Sequence, residues 1–416
     1  MPKATPGVPY VVVPGDTLSG IANQAYGEAR RWREIWNANR TTLKSDDPNL
    51  IFPGETLTIP KIPELEGQKD IDLPGKAADD FTIVVENTEL VFEAATALRT
   101  MDTGSDAWTA TIVYNRENAK LFRTLRPFGY NEARVYVGGR LMITGRLYVV
   151  GINIEPDEIS KDLKGFSYTV DIVDSTKPNP PYEFRNVTIK QVAEALVEPF
   201  QIPVVFEGEV GGQFDRVTID KTEKIFDFLA KLAKQRSLLV TSTNKGELLF
   251  TQANTASQPI GSITQGYPPF RTANTEFDGR KRAKAYKVTS KRRGQATKTA
   301  VSKDDNVPIS RFLTITADDT TAGDIKKAAD WERSKRIADS LTFTIPVTRW
   351  YGPDGNLWTE NTILTVKSEE LYIPDGFNFL IRSVLFRHES GGQTAELSLV
   401  PPQVYTGDVV DEPWIL

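Results

Sequence analysis

Cysteine is absent from the 416-residue chain, histidine occurs once and methionine three times. The lack of cysteine excludes a disulfide framework, a thiolate zinc site and a cysteine nucleophile. It fits a protein made in a reducing compartment. The lone histidine, His388, cannot build a His-rich metal site, and any Ser-His-Asp triad has to use it. It ends an expected strand in FRHESGG with no nucleophile-elbow motif anywhere, so a surface histidine beside a turn is the better reading. Charge of one sign is not in excess: a net charge of −5 gives no bulk attraction to nucleic acid or anionic lipid. No apolar run approaches the roughly 18–20 residues of a membrane span. The opening MPKATPGVPYVVVPGD holds no apolar signal core of about 7–15 residues. The expected location is the cytosol, or a destination reached by a non-standard export route. No P-loop, dinucleotide fingerprint, EF-hand loop or HExxH is present. Carboxylate pairs such as Asp304-Asp305 and Glu369-Glu370 read as surface features. No catalytic residue, cofactor or metal is expected.

What is present is β grammar, written twice. From Trp331 to Pro402 a helix-like run, AADWERSKRIADS, is followed by LTFTIPV, TRWYGPDGNLW, NTILTV, EELYIPDG, FNFLIRSVLFRHES and TAELSLVPP. Each block alternates or is a short apolar run closed by Gly, Pro or Asp, as antiparallel strands and their turns do. Residues 135–173 repeat the pattern: a short strand, a turn, Leu141-x-Ile143 against Leu371-x-Ile373, Gly145 against Gly376, a long strand, a polar loop and a last alternating strand. Each copy lies downstream of a Trp-containing signal, WTATIVY at Trp108 and LWTEN at Trp358. Two copies of one β domain are expected.

The length points to three or four domains. Residues 10–60 read as a βααβ unit: VVV, a Pro14-Gly15 turn, Asp16 as N-cap, a helix with Leu18, Ile21, Ala22 and Ala25 on one face, a second helix with Trp32, Ile35 and Trp36, and the strand TLTIP. Residues 61–80 read as an extended linker. Residues 81–175 form the first β domain, in which ELVFEAATALRT suits a strand or a short helix. Residues 176–255 read as a small inserted α/β domain. Its Thr188-x-x-Gln191 and Asp220-x-x-Glu223 boxes cap helices, and a hairpin turns at Asn244-Lys245-Gly246. Residues 256–310 carry little pattern and read as a connecting segment with the one strong basic cluster: Arg280, Lys281, Arg282, Lys284, Lys287, Lys291, Arg292 and Arg293, with Lys298 beyond. Only Tyr286 accompanies it as a stacking platform, so a solvated surface is favoured over nucleic-acid binding. Residues 311–416 are the second β domain.

Two resemblances follow. YVVVPGDTL with Ile21-Ala22, Tyr26-Gly27, Trp32, Ile35-Trp36, Asn37-Ala38-Asn39, Asn49-Leu50-Ile51, Pro53-Gly54 and Leu57-x-Ile-Pro60 resembles the LysM family. Such domains commonly bind N-acetylglucosamine polymers such as peptidoglycan. The resemblance places the groove at Gly15, Asp16, Thr17 and Leu18 and at Asp47, Pro48, Asn49, Leu50 and Ile51. The aromatic-rich second helix looks like the LysM variant of phage tail proteins, where packing against protein is the alternative role. Residues 81–402 resemble the Mu-like baseplate hub proteins of contractile phage tails and related injection machines. That resemblance rests on Trp331 to Arg336, Leu341 to Val347, Trp350, Gly352, Gly355-x-Leu357-Trp358 and Leu380 to Phe386.

The implied architecture is mainly β with α+β modules: an N-terminal LysM domain, then two tube-like β-barrel domains with the small α/β domain inserted. The implied role is structural. It is a homotrimer adapting the six-fold tail tube to the three-fold central spike, meeting baseplate wedge proteins and enclosing DNA without reading its sequence. Its implied place is the virion tail baseplate, with the host cytoplasm during assembly. The basic cluster would face the lumen or a wedge partner. The alternatives are a wall-targeting protein anchored by LysM and a LysM-bearing wall hydrolase.

Overall fold

The computed structural model describes every residue except 1–3, 27–31, 40–41, 46, 48–49, 61–76, 114–118, 157, 209–210, 291–296, 318–324, 391, 407–409, 413 and 415–416. Most of the expected 61–80 linker therefore lies outside the described residues. Two compact units emerge, one of Met1–Asp72 with Glu194–Val204 and one of Leu73–Ala193 with Val205–Leu416.

The first unit contains β1 (Tyr10–Val11), α1 (Leu18–Tyr26), α2 (Trp32–Asn39) and β2 (Thr56–Leu57). β1 and β2 pair antiparallel. The apolar positions spaced for a helix face, Leu18, Ile21, Ala22 and Ile35, are buried together with Tyr10, Leu57 and Ile59. The cap of α1 is Thr17, not Asp16: Gly20 N donates to Thr17 Oγ1 at 3.1 Å. Asp16 turns back instead, where its Oδ2 accepts from Tyr10 OH and Val13 N at 2.9 and 2.8 Å.

The second unit opens with β3 (Phe81–Val85), β4 (Thr88–Glu89), β5 (Ala94–Thr100), β6 (Ala107–Val113), α3 (Ala119–Thr124), β7 (Glu132–Val137), β8 (Arg140–Ile154) and β9 (Ile159–Ser167). The stretch left between strand and helix, ELVFEAATALRT, supplies strand β5. The inserted part holds α4 (Val170–Asp174), β10 (Glu183–Val187), α5 (Ile189–Val197), β11 (Val204–Phe206), β12 (Phe214–Thr218), α6 (Ile225–Lys234), β13 (Leu239–Ser242) and β14 (Leu248–Thr251). The Thr188–Gln191 box forms, with Thr188 N on Gln191 Oε1 at 2.9 Å and Gln191 N on Thr188 Oγ1 at 3.3 Å. The Asp220–Glu223 box closes a turn ahead of α6 rather than its first turn, because α6 starts after Lys224, which makes no side-chain cap.

Residues 256–310 are not a plain connection. They supply β15 (Ser262–Thr264), β16 (Asn274–Phe277), β17 (Ala285–Ser290) and β18 (Thr299–Lys303). After them come β19 (Phe312–Ala317), α7 (Ile325–Asp339), β20 (Leu341–Val347), β21 (Ile363–Ser368), β22 (Ile373–Glu389) and β23 (Gly392–Val400). β17 pairs β18 antiparallel and β19 parallel in a separate three-stranded sheet.

One 13-stranded sheet carries both β domains. Its strand order contains β5-β6-β9-β8-β7-β3 and, for the second copy, β16-β20-β23-β22 with β21 on β22 and β15 on β21. The two orders match strand for strand, so the duplication read in the sequence is a duplication of topology. β3 is antiparallel to β7, whereas β15 is parallel to β21. The copies are joined by β5 lying antiparallel on β22. Among the described residues the sheet stays open, ending at β16 on one side and β4 on the other. Trp108, Trp350, Trp358, Phe343 and Phe386 sit in a core common to both copies.

The sequence correspondence between copies needs a correction. Both long strands carry a bulge against their last strand, at Tyr148 between Leu147 and Val149, and at Arg382 between Ile381 and Ser383. Aligning the bulges makes Trp108 equivalent to Phe343, each facing the matching residue of the last strand, Gly165 and Leu399. Trp358 lies in the chain between β20 and β21. The β21–β22 turn, closed by Ser368 and Ile373, is longer than the β7–β8 turn, closed by Val137 and Arg140. The matches of Leu141 with Leu371 and of Ile143 with Ile373 preserve the in-out alternation, because they are displaced from the bulge alignment by an even number of residues, so sequence pattern alone tolerated them; the match of Gly145 with Gly376 is displaced by an odd number.

Candidate functional site

The joint between the copies is built around Arg99 on β5. Its Nη1 donates to Asp106 Oδ2 at 2.6 Å and to Met142 O at 3.2 Å. Its Nη2 reaches Glu360 Oε1 at 2.6 Å and Ser242 O at 3.4 Å, and Nε reaches Glu360 Oε1 at 3.1 Å. One guanidinium thus ties β5 to the loop before β6, to β8, to the inserted hairpin and to the segment preceding β21. Asp106 also accepts Thr100 N at 2.9 Å and the Ser242 hydroxyl. Thr241 Oγ1 adds a bond to Thr100 O at 2.6 Å. The planar fork of arginine suits such convergence; an ammonium does not offer it.

This cluster encloses two carboxylates and one cation, with side-chain exposures of 9% for Arg99, 0% for Asp106 and 11% for Glu360. Burial pushes the Asp106 carboxyl up to about 6, Arg99 pulls it down, and the nearby Glu360 charge raises it. A folded-state value above the unfolded one means the native chain holds the proton more tightly. This contribution to stability is fully present below the unfolded value near 4 and is lost as pH rises through about 6. Relative to Asp106→Asn, the unaltered chain should therefore gain on the order of 2 kcal/mol between pH 7 and pH 4. Urea unfolding of both proteins across that range measures the difference.

The LysM surface is positioned by two buried polar side chains that the motif alone does not single out. Glu55, 8% exposed, accepts Lys44 N at 2.8 Å through Oε1 and Phe52 N at 2.6 Å through Oε2, which pins the loop carrying Asp47, Leu50 and Ile51. Asn39 Nδ2 donates to Ile35 O and Thr58 O, and its Oδ1 accepts Thr58 N, each at 2.7 Å, locking α2 to the closing strand. Of the groove residues, Gly15 takes φ +93° in the first turn, Leu18 is core, and Asp47 and Leu50 are exposed. Ile51 is half-buried against that core. Asp16 and Thr17 use their oxygens within the turn and cap. Pro48 and Asn49 lie outside the described residues. Phe52, beside the groove, is 38% exposed.

The basic cluster is only partly a free surface. Arg282 is clamped by Asp304 and Glu412, with side-chain exposures of 11%, 3% and 4%. Arg280 folds onto Asp278 at 2.8 Å. Lys281, Lys284 and Lys287 are exposed, while Lys291, Arg292 and Arg293 lie outside the described residues. Charge counting found the cations but not the acids they face, one of which is 130 residues away in sequence.

His388 is half-buried beside the β22–β23 turn rather than a plain surface histidine. It stands among Phe81, Phe92 and Trp350 with ring centroids 5.8–6.1 Å away, and its Nδ1 is buried without a hydrogen-bond partner. A cavity of about 420 Å³ lies between α6–β13 and α7–β20. Lys234 and Lys335 flank the Trp331 ring there, at 4.9 and 5.6 Å. Among the described residues no group of His, Cys, Asp and Glu is arranged to hold a metal ion, and no helix is long and apolar enough to cross a membrane.

Comparison with known proteins gives three family matches. The family described as baseplate hub protein gp44-like, second domain, matches residues 169–252. LysM matches 10–60, and the fourth domain of Mu phage baseplate assembly protein GpP matches 320–408. Baseplate hub protein gp44 of Escherichia phage Mu is 27% identical over 281 residues, which is 64% of this chain and 73% of that protein. The 43 kDa tail protein of prophage MuSo2 from Shewanella oneidensis superposes with a TM-score of 0.68 at 28% identity, over 78% of this chain and 98% of that one. A tail protein from Neisseria meningitidis MC58 shares the fold, with a TM-score of 0.66 at 20% identity, over 79% of this chain and 98% of that one. The insertion and the second copy thus each match a baseplate domain. The chain is a homologue of the Mu phage baseplate hub protein gp44, with baseplate-type domains over residues 169–252 and 320–408 and a LysM domain at its N-terminal end.

Proposed function

We propose that the chain is the trimeric adaptor of a contractile-tail baseplate, joining the six-fold tail tube to the three-fold central spike and lining part of the DNA conduit. The observation that supports this reading most directly is the six-strand order written twice in one sheet. Three chains then present six equivalent modules, which meets a six-fold tube while keeping a three-fold axis for the spike. The role is structural, with DNA passing without base-specific contact, as the net charge of −5 favours. Lys281, Lys284 and Lys287 offer an acidic wedge protein a contact. Negative-stain images of the purified chain, viewed down the particle axis, should show six similar lobes. Particles with a different lobe number would count against the reading.

The LysM domain supports a second, compatible role, holding N-acetylglucosamine polymers between the Gly15–Leu18 turn and the Asp47–Ile51 loop. Leu50, 48% exposed, offers that surface an apolar contact. Replacing it by aspartate should lower retention on insoluble peptidoglycan about tenfold, a loss of about 1.4 kcal/mol. Full-chain protein that peptidoglycan fails to retain at all would leave the domain as a packing clamp.

A further inference from the structure

Helices α6 and α7 each carry a stripe that their core packing leaves over. On α6 the buried residues are Ile225, Phe228, Leu229, Leu232 and Ala233. Phe226, Ala230 and Lys234, four residues apart, form a different face, and all three line the cavity of about 420 Å³. On α7 the lining residues are Trp331, Lys335, Ala338 and Asp339, spaced i, i+4, i+7 and i+8. Ala230 and Ala338 are short, which leaves the space between the stripes open. The floor is apolar: Phe343, Leu399 and Val400 line it and are at most 6% exposed.

Two exposed lysines border this space. Neighbouring cations of the same helices are paired, Lys231 with Glu223 at 2.7 Å and Arg336 with Glu332 at 2.8 Å. Among the described residues Lys234 and Lys335 form no ion pair; they stand over the Trp331 ring instead, 4.9 and 5.6 Å from its centroid. Asp339 shares the lining and pairs with neither. Partial burial, then the Lys335 charge, holds the Lys234 ammonium below the ordinary lysine range, and Asp102, Glu332 and Asp227 pull it up by less. The deeper wall is polar but mostly satisfied: Arg382 Nε and Tyr405 OH donate to Asp102 Oδ2 at 2.9 and 2.8 Å. Asp102 Oδ1 is buried with no hydrogen-bond partner.

We propose that this cavity anchors an acidic peptide segment of a partner protein, with an apolar side chain on the floor and carboxylates on Lys234 and Lys335. The volume falls in the range of ligand pockets, roughly 300–1,000 Å³. Charge decides the sign of the occupant, because an acidic group supplies both lysines with the partner they lack. The rest of the lining decides its kind. A small inorganic anion leaves the floor uncovered, and an apolar molecule leaves the lysines unpaired. A peptide brings apolar side chain, carboxylates and N–H donors together, the last suited to Asp102 Oδ1. Bound there, it would bridge α6 to α7 and so tie the inserted domain to the second β copy. The inference rests on the adaptor reading, in which partner chains surround this one.

The probes are four capped tripeptides, glutamate on either side of leucine, isoleucine, phenylalanine or tryptophan, titrated calorimetrically into the full-length protein. At least one should bind with a Kd below about 1 mM at low salt and weaken as salt is added. The same peptides with lysine in place of glutamate should not bind. Lys234→Glu with Lys335→Glu should weaken binding by at least about tenfold. Lys234→Met with Lys335→Met keeps the stems over Trp331, serves should charge reversal disturb folding, and should also weaken it. Binding by none of the four, or binding that both double variants leave unchanged, would overturn the proposal. Light scattering on the same samples separates it from the adaptor reading. Peptide binding by a chain that stays single would keep the site and count against the ring, whereas a three-chain particle that binds no peptide would overturn the site alone.

Discussion

Replacing Arg99 by methionine is expected to destabilise the larger unit by about 3–5 kcal/mol, because it strands two buried carboxylates without their cation. Asp106 is fully buried and Glu360 nearly so, and Arg99 is the cation that contacts both. The loss should appear as a fall in Tm on the order of 10 °C, with the Asp106 carboxyl taking up a proton more readily once the Arg99 charge that pulls it down is gone. Arg99→Lys keeps the charge but loses the fork, so it should fall between the two. The triple variant Arg99→Met, Asp106→Asn, Glu360→Gln should recover much of the loss, since a neutral cluster has no uncompensated charge. Tryptophan fluorescence during thermal unfolding of the four proteins decides the order. If Arg99→Met matched the unaltered chain, the joint would not be held by this cluster.

Trp108→Ala should cost about 3–5 kcal/mol, and Trp108→Phe much less. Trp108 is 0% exposed and lies across the ladder from Gly165, where an added Cβ would sit 2.2 Å from its Nε1 and 2.5 Å from Arg146 O. The indole therefore occupies the space that the missing side chain leaves on β9, and Gly165→Ala should be damaging for the same reason. Its Nε1 has no hydrogen-bond partner, so phenylalanine gives up ring area but no bond. The other two core tryptophans make the contrast. Trp350 Nε1 donates to Arg387 O and Thr394 O at 3.1 and 3.0 Å, and Trp358 Nε1 to Arg349 O at 3.0 Å. Trp350→Phe and Trp358→Phe should each lose more than Trp108→Phe. Urea denaturation of the three phenylalanine variants, compared with Trp108→Ala, measures both differences.

The parts of this chain that were legible in its sequence are those whose signals are local. LysM folds from about fifty consecutive residues, and its turns, helix faces and closing strand all show in the spacing. The Thr188–Gln191 box shows for the same reason. The β duplication was legible because in-out alternation survives in both copies, but its register was not, because an even-numbered slip leaves alternation intact. β5 on β22 pairs residues such as Ala97 and Phe386, far apart in the chain, and no local pattern announces that pairing. The role of Arg99 depends on it, so an arginine in AATALRT read as an ordinary strand residue. The sheet of β17, β18 and β19 was hidden because the lysines and arginines on either side of β17 dominate the stretch, although most of them lie outside its strands. The buried polar pins of LysM, Glu55 and Asn39, needed the coordinates to show that their partners are backbone atoms.

The proposed ring has three chains, each contributing two copies of one β module. Light scattering on the full-length protein at tens of micromolar tests it most directly. A single species of three times 46.3 kDa is the expected result. A species of one or two chains, unchanged with concentration, would contradict it.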